Sequence, residues 1–257
     1  MELSGKVAVV TGGGSGLGAA LCRALGEEGA RVIVVDLDRD RAEQVAADVA
    51  GIAVEADVSR EPDVQRAVAA AQAWAGEVDI MISNAGLGGP SDIFTDDAHW
   101  TLEWNVHVLS NVYAARAVLP SMLERGQGWI VSTASAVGLT NQPGTAAYVV
   151  TKHAQLALAE HLALQYGDRG VQFSCICPLG MRTAMTADAD SQEVANRFGD
   201  TTLIDADVAA SRALEQLKAG RFLVLTHPEV ATYAQRRASD HDRWLDGMRR
   251  LYARYAV

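Results

Sequence analysis

Short runs of apolar, largely β-branched residues recur along the chain with little polar alternation, and longer stretches between them repeat apolar residues at helical spacing. A continuous apolar run reads as a strand buried on both faces. Strands are therefore predicted at 6–11, 31–36, 51–57, 78–84, 128–135, 171–178 and 221–226. Helices are predicted at 17–29, 39–49, 97–124, 146–168 and 207–219. Another helix follows Ser59, which can cap it, with Pro62 in its first turn, where a missing N–H does no harm. Residues 181–204 read as irregular or lid-like, a candidate substrate loop. Strand alternates with helix, so the expected fold is α/β: a doubly wound parallel sheet of about seven strands with helices on both faces. No linker, low-complexity tract or repeat interrupts residues 1–257, and one domain is expected. The tail, 227–257, is charged but carries Val230, Tyr233, Trp244, Leu245, Met248, Leu251 and Tyr252 at roughly helical spacing. It is expected to be a helical extension packed on its own domain, with a subunit contact or active-site cover as the alternative.

Charge and composition narrow the function. The net charge is -10, which argues against nucleic-acid and anionic-membrane partners. No apolar run approaches the roughly 20 residues of a membrane span. The N-terminus runs directly into the first strand, so no secretory signal is expected. The cysteines, Cys22, Cys175 and Cys177, are odd in number, which suits buried thiols in a reducing cytoplasm. No metal site is expected: Cys175 and Cys177 lack further ligands nearby, and the histidines show no HExxH-type spacing.

Between the first strand and first helix lies TGGGSGLG, residues 11–18. Glycines permit a tight turn there and let a pyrophosphate approach the backbone at the helix N-terminus. Gly12, Gly14, Ser15, Gly16, Leu17 and Gly18 are the candidate phosphate-binding residues of a Rossmann-type fold. Asp36 ends the second strand, where a carboxylate can accept hydrogen bonds from an adenosine ribose and repel a 2′-phosphate. Leu37 beside it adds no cation, so NAD (NADH) is expected over NADP.

With YVVTK at 148–152 these features resemble the short-chain dehydrogenases/reductases, from about Lys6 to Thr226. The glycine string fits the family's TGxxxGxG turn, Asp57-Val58 its adenine-contacting pair and Asn84-Ala85-Gly86 its NAG signature. Asn105 fits its helical asparagine, Tyr148 and Lys152 its YxxxK, and Ser135 lies 13 residues before Tyr148, the catalytic spacing. The resemblance implies an NAD(H)-dependent oxidoreductase that interconverts a secondary alcohol and a ketone. Tyr148 would be the general acid/base, and Lys152, which also binds the nicotinamide ribose, would favour the phenolate of a residue whose free pKa is about 10. Ser135 would hold the substrate oxygen, and Asn105 would anchor a water that relays protons from Lys152. Pro178 and Thr183 would bind the nicotinamide end. Ser132, three residues before Ser135, reads as structural.

Two departures stand out. Thr151 replaces the family's frequent serine, a conservative change, and Leu179 stands at a usual glycine position near the nicotinamide. Ser135, Ala136, Val137, Gln142 and Leu179 are the expected substrate pocket, with Arg182 the one candidate anion clamp. They suit a neutral hydrophobic alcohol or ketone. The family implies a homodimer or homotetramer. The competing reading is an NAD-binding member with little turnover that acts as a sensor or partner protein.

Overall fold

The computed structural model describes residues 2–183 and 203–255. Its strands are β1 (Val7–Thr11), β2 (Arg31–Asp36), β3 (Ile52–Glu55), β4 (Ile80–Ser83), β5 (Gly128–Thr133), β6 (Val171–Ile176), β7 (Met181–Arg182), β8 (Ile204–Asp205) and β9 (Leu223–Val224). Seven form one sheet in the order β3-β2-β1-β4-β5-β6-β9, each pair parallel. The order reverses between β1 and β4, which opens a crevice beyond the carboxyl ends of these strands.

The helices are α1 (Gly16–Glu27), α2 (Arg39–Asp48), α3 (Glu61–Ala75), α4 (Asp97–Trp104), α5 (Ser110–Arg125), α6 (Ala146–Tyr166), α7 (Ala206–Lys218), α8 (Glu229–Ser239) and α9 (His241–Tyr255). The unbroken apolar strands explain the layers. In β1, Val7 and Val9 enter the core under α3 and α5, while Ala8 and Val10 enter the one under α1 and α7. A strand with both faces covered has no polar position to spare. Each fully buried valine, leucine or isoleucine contributes about 1.5–3 kcal/mol. Cys175 and Cys177 are buried free thiols whose sulfurs lie 4.0 Å apart.

Three sequence expectations shift here. The third strand stops at Glu55 because the Asp57 carboxylate accepts hydrogen bonds from the Ser59 amide, at 2.9 Å, and hydroxyl, at 2.6 Å, and bends the chain. That occupies Ser59, so Arg60 takes the N-cap of α3 without a side-chain cap. Helix 97–124 is interrupted by a π-helical turn at Asn105–Leu109. Of the predicted substrate loop, residues 184–202 lie outside the described residues; its two ends pair as β7 and β8. The tail forms α8 and α9. Val230 is buried, and Arg237 donates to the Leu139 carbonyl at 3.1 Å while its guanidinium lies 5.4 Å from the centre of the Trp244 ring.

Candidate active site

The crevice is a cavity of about 670 Å³ that runs from the glycine turn to Tyr148. At one end Gly12 adopts φ +64°, and a Cβ there would lie 2.8 Å from the Ala85 Cα. A Cβ on Gly18 would strike the Gly12 carbonyl oxygen. These positions therefore demand glycine. Helix α1 starts with Ser15 as N-cap, without a side-chain cap and with no acidic residue in its first turn. Its amide groups are left to an anion, and the helix dipole favours one. Asp36 closes the turn: its carboxylate accepts from the Gly14 amide at 2.9 Å and the Asp38 amide at 3.0 Å. Leu37, Asp57 and Val58 line the same end. Thr11 and Asn84 clasp β1 to β4. The Thr11 hydroxyl accepts from the Asn84 and Ala85 amides at 3.0 and 3.1 Å, and the Asn84 side chain donates to the Thr11 carbonyl at 3.1 Å.

At the other end, β5 and α6 bring Ser135, Tyr148 and Lys152 together. Ser135 follows the end of β5, where its hydroxyl donates to the Pro178 carbonyl at 3.4 Å and accepts from the Val137 amide at 3.3 Å. One helical turn separates Tyr148 from Lys152, whose Nζ lies 5.5 Å from the phenol ring centre. Lys152 is only 3% exposed, and burial lowers its pKa to about 8. Its ammonium donates to the Thr133 carbonyl and the Gln155 Oε1, each at 2.9 Å. Burial also raises the Tyr148 pKa, with the Ser135 hydrogen bond opposing the shift. The net direction for the phenol is thus upward, with burial as the largest cause. Desolvation dominates, and the ammonium spends its hydrogen bonds on Thr133 and Gln155.

A model of the short chain dehydrogenase family matches residues 6–194. The chain belongs to this family. The oxidoreductase UcpA of Salmonella typhimurium is 33% identical over 256 residues, covering 96% of this chain and 92% of its own. A short chain dehydrogenase/reductase from Burkholderia phymatum, solved in complex with NAD, superposes with a TM-score of 0.85 at 27% identity, covering 94% of this chain and 96% of its own. L-sorbose reductase from Gluconobacter frateurii, solved with NADPH and L-sorbose, gives a TM-score of 0.75 at 27% identity over 82% and 89% of the two chains. The protein is therefore a short-chain dehydrogenase with a nucleotide-binding Rossmann fold.

In this short-chain dehydrogenase most residues singled out from sequence line one cavity, including Gly86, Pro178, Thr183, Val137, Gln142 and Leu179. Three do not. Gly14 lies behind the turn against Asp36. Ala136 is 1% exposed, and its amide donates to the Pro178 carbonyl at 2.8 Å. Asn105 sits where α4 gives way to the π-helical turn and is absent from the lining. The residue that reaches Tyr148 from this helix is His107, two positions on, with ring centres 5.5 Å apart in an edge-on contact. Two residues on a helix face different sides, so the relay role expected of Asn105 has no geometric support. Arg182 pairs with Asp205 at 2.7 Å and also lies outside the lining. Ser132 donates to Asn111 Oδ1 at 2.7 Å, as a structural serine does.

His107 is fully buried. Its Nε2 accepts from the Leu87 amide at 3.2 Å, and its Nδ1 lies 2.8 Å from the Thr151 hydroxyl. Burial and the Lys152 ammonium push its pKa down to about 2, so the ring is neutral. Thr151 is consequently more than a tolerated variation: it holds His107 while donating to the Ala147 carbonyl at 2.8 Å. One signal was visible in the sequence. His99, Glu103 and His107 recur every four residues, a single helical stripe.

Proposed function

We propose that the protein is an NAD(H)-dependent dehydrogenase that interconverts a secondary alcohol and a ketone on a neutral, largely apolar substrate. One observation carries the reading: a single cavity joins the uncapped start of α1 and Asp36 to Ser135, Tyr148 and Lys152. Gly12, Ser15, Gly16 and Leu17 would hold the pyrophosphate, Asp36 the adenosine ribose, and Lys152 and Thr183 the nicotinamide half. When bound, the nicotinamide supplies the hydride acceptor or donor. The nearest cations at the adenosine end support NAD over NADP. Arg39 is taken by Glu43 at 2.7 Å and Arg41 by Asp38 at 3.1 Å, which leaves Asp36 to repel a 2′-phosphate. Solved neighbours with NAD and with NADPH fit either choice, so the argument rests on these side chains.

Ser135 places a substrate oxygen beside the phenol. Because burial favours the neutral phenol, Tyr148 donates its proton to a ketone oxygen in the reducing direction; in the oxidising direction the phenol first releases that proton to solvent, and the phenolate then takes the alcohol's. Among the described lining residues the charged side chains are Asp36, Asp57 and Lys152, and the apolar ones include Leu87, Val106, Val137, Leu179 and Met181. Lys152 is the single cation among the described lining residues, which favours a neutral substrate. A panel of secondary alcohols and ketones with NAD and NADH tests the reading. Tyr148→Phe should abolish turnover and leave NADH binding nearly intact. Turnover that survives Tyr148→Phe would refute the assignment, and NADH binding without turnover of any panel member would favour a sensor.

A further inference from the structure

The stripe on α4 continues into the interior. Glu103 is 0% exposed, yet it sits on a helix whose neighbouring positions face solvent. Its Oε1 lies 3.1 Å from Nε2 of the partly exposed His99. Its Oε2 makes no hydrogen bond among the described residues and lies 3.8 Å from His107 Nδ1. The Leu87 amide fixes His107 Nε2 as an acceptor, so the ring proton is on Nδ1, the side that faces Thr151 and Glu103. A neutral imidazole cannot balance a buried carboxylate. Buried charges persist only when another charge or a full set of hydrogen bonds compensates them.

Across His107 lies the complementary problem. Lys152 is a buried ammonium whose two acceptors, Thr133 and Gln155, are both uncharged. His107 Nε2 and Lys152 Nζ approach the same side of Gly86, at 3.5 and 3.6 Å from the position of its absent Cβ. The titratable groups around this space are His99 and Glu103 from α4, His107 from the π-helical turn, Tyr148 and Lys152 from α6, Cys175 from β6 and Cys177 just after it. Glu103 is the carboxylate that acts on both Lys152 and Tyr148.

We propose that Glu103 is a positioning residue whose buried carboxylate serves as the counter-charge of Lys152, with His107 as the spacer between them and His99 as its contact with solvent. The carboxylate keeps Lys152 an ammonium and keeps Tyr148 a phenol, so one side chain outside the cavity sets the charge of both catalytic partners. Burial raises the Glu103 pKa above the ordinary carboxylate value, and His99 and Lys152 oppose that rise, so its ionised form depends on these two neighbours. The catalytic consequence rests on the dehydrogenase reading; the electrostatic one does not.

The test uses Glu103→Gln, which keeps the shape and removes the charge. In the ligand-free protein, ¹⁵N-lysine NMR should show Lys152 titrating about one pH unit lower than in the wild type, and ultraviolet difference spectra should show Tyr148 ionising earlier. In turnover, the fall in kcat with rising pH should move down by the same interval, a loss of about tenfold at a fixed pH on that limb. A residue that merely braces α4 would change the melting temperature and leave both titrations in place, and that result overturns the proposal. If Glu103→Gln does not fold, the reciprocal experiment applies. In Lys152→Met, which removes a buried charge, ¹³C-glutamate NMR should show Glu103 protonating at higher pH than in the wild type, and an unmoved Glu103 refutes the coupling. If no substrate is turned over while the ligand-free titrations shift, the dehydrogenase reading fails and the counter-charge stands.

Discussion

Lys152 makes the stability of the ligand-free protein depend on pH in an unusual direction. Its pKa falls from 10.5 to about 8 on folding because burial penalises the ammonium. Between those values the unfolded chain binds more protons than the folded one, so raising the pH favours the fold. The contribution is complete above the unfolded value and is lost as the pH falls through the folded one. A shift of this size, at 1.36 kcal/mol per unit, corresponds to about 3 kcal/mol. Lys152→Met removes the titration. It also deprives the Thr133 carbonyl and Gln155 Oε1 of their donor, but that loss does not depend on pH. Urea melts of both proteins at several pH values from 7 to 10.5 therefore report chiefly the lysine, since groups that do not interact with it cancel in the difference. The wild type should gain about 3 kcal/mol relative to Lys152→Met across that range. A constant difference would show that Lys152 is solvated or fully paired in the ligand-free fold, and the burial argument would fail.

Three further outcomes follow from named contacts. Gly18→Ala drives a methyl into the Gly12 carbonyl oxygen, so it should distort the turn and weaken NADH binding by at least tenfold in fluorescence titration; unchanged binding would mean that the turn is not the phosphate site. Asp36→Ser removes the carboxylate held by the Gly14 and Asp38 amides, and the NADH over NADPH preference in kcat/KM should fall sharply; equal values for the two cofactors in the wild type would sink the NAD assignment. Thr151→Val keeps the volume but leaves His107 Nδ1 without its hydroxyl partner, a cost of about 1–3 kcal/mol in chemical melts, and no change would mean that another group satisfies the ring.

The layers of the fold were legible because a doubly covered strand cannot hide its pattern. VAVVT and RVIVVD have no solvent face, and both are interior strands of the sheet. The cofactor end was legible for a related reason: glycines required by close backbone approach, at Gly12 and Gly18, are contiguous in sequence with the helix they open. The strand edges were less legible. Asp57 competes with the ladder through its own side chain and ends β3 early, and apolar patterning carries no record of such a local hydrogen bond.

The sequence alone determined the order of strands and helices, the glycine turn and the spacing of Ser135, Tyr148 and Lys152, because these follow from periodicities of one and two elements. Only the tertiary structure decided which residue of α4 and its π-helical turn meets Tyr148, since an added residue in a helical turn rotates every side chain beyond it. His107 stands there in place of Asn105, Thr151 secures it, and Glu103 is drawn inward behind it. Only the fold, too, set the charges of the site. The spacing of Tyr148 and Lys152 suggests an ammonium that acidifies a phenol, but burial is a property of the packed molecule. Here burial raises Tyr148 and lowers Lys152, because the solvation each loses on packing is the largest influence on it.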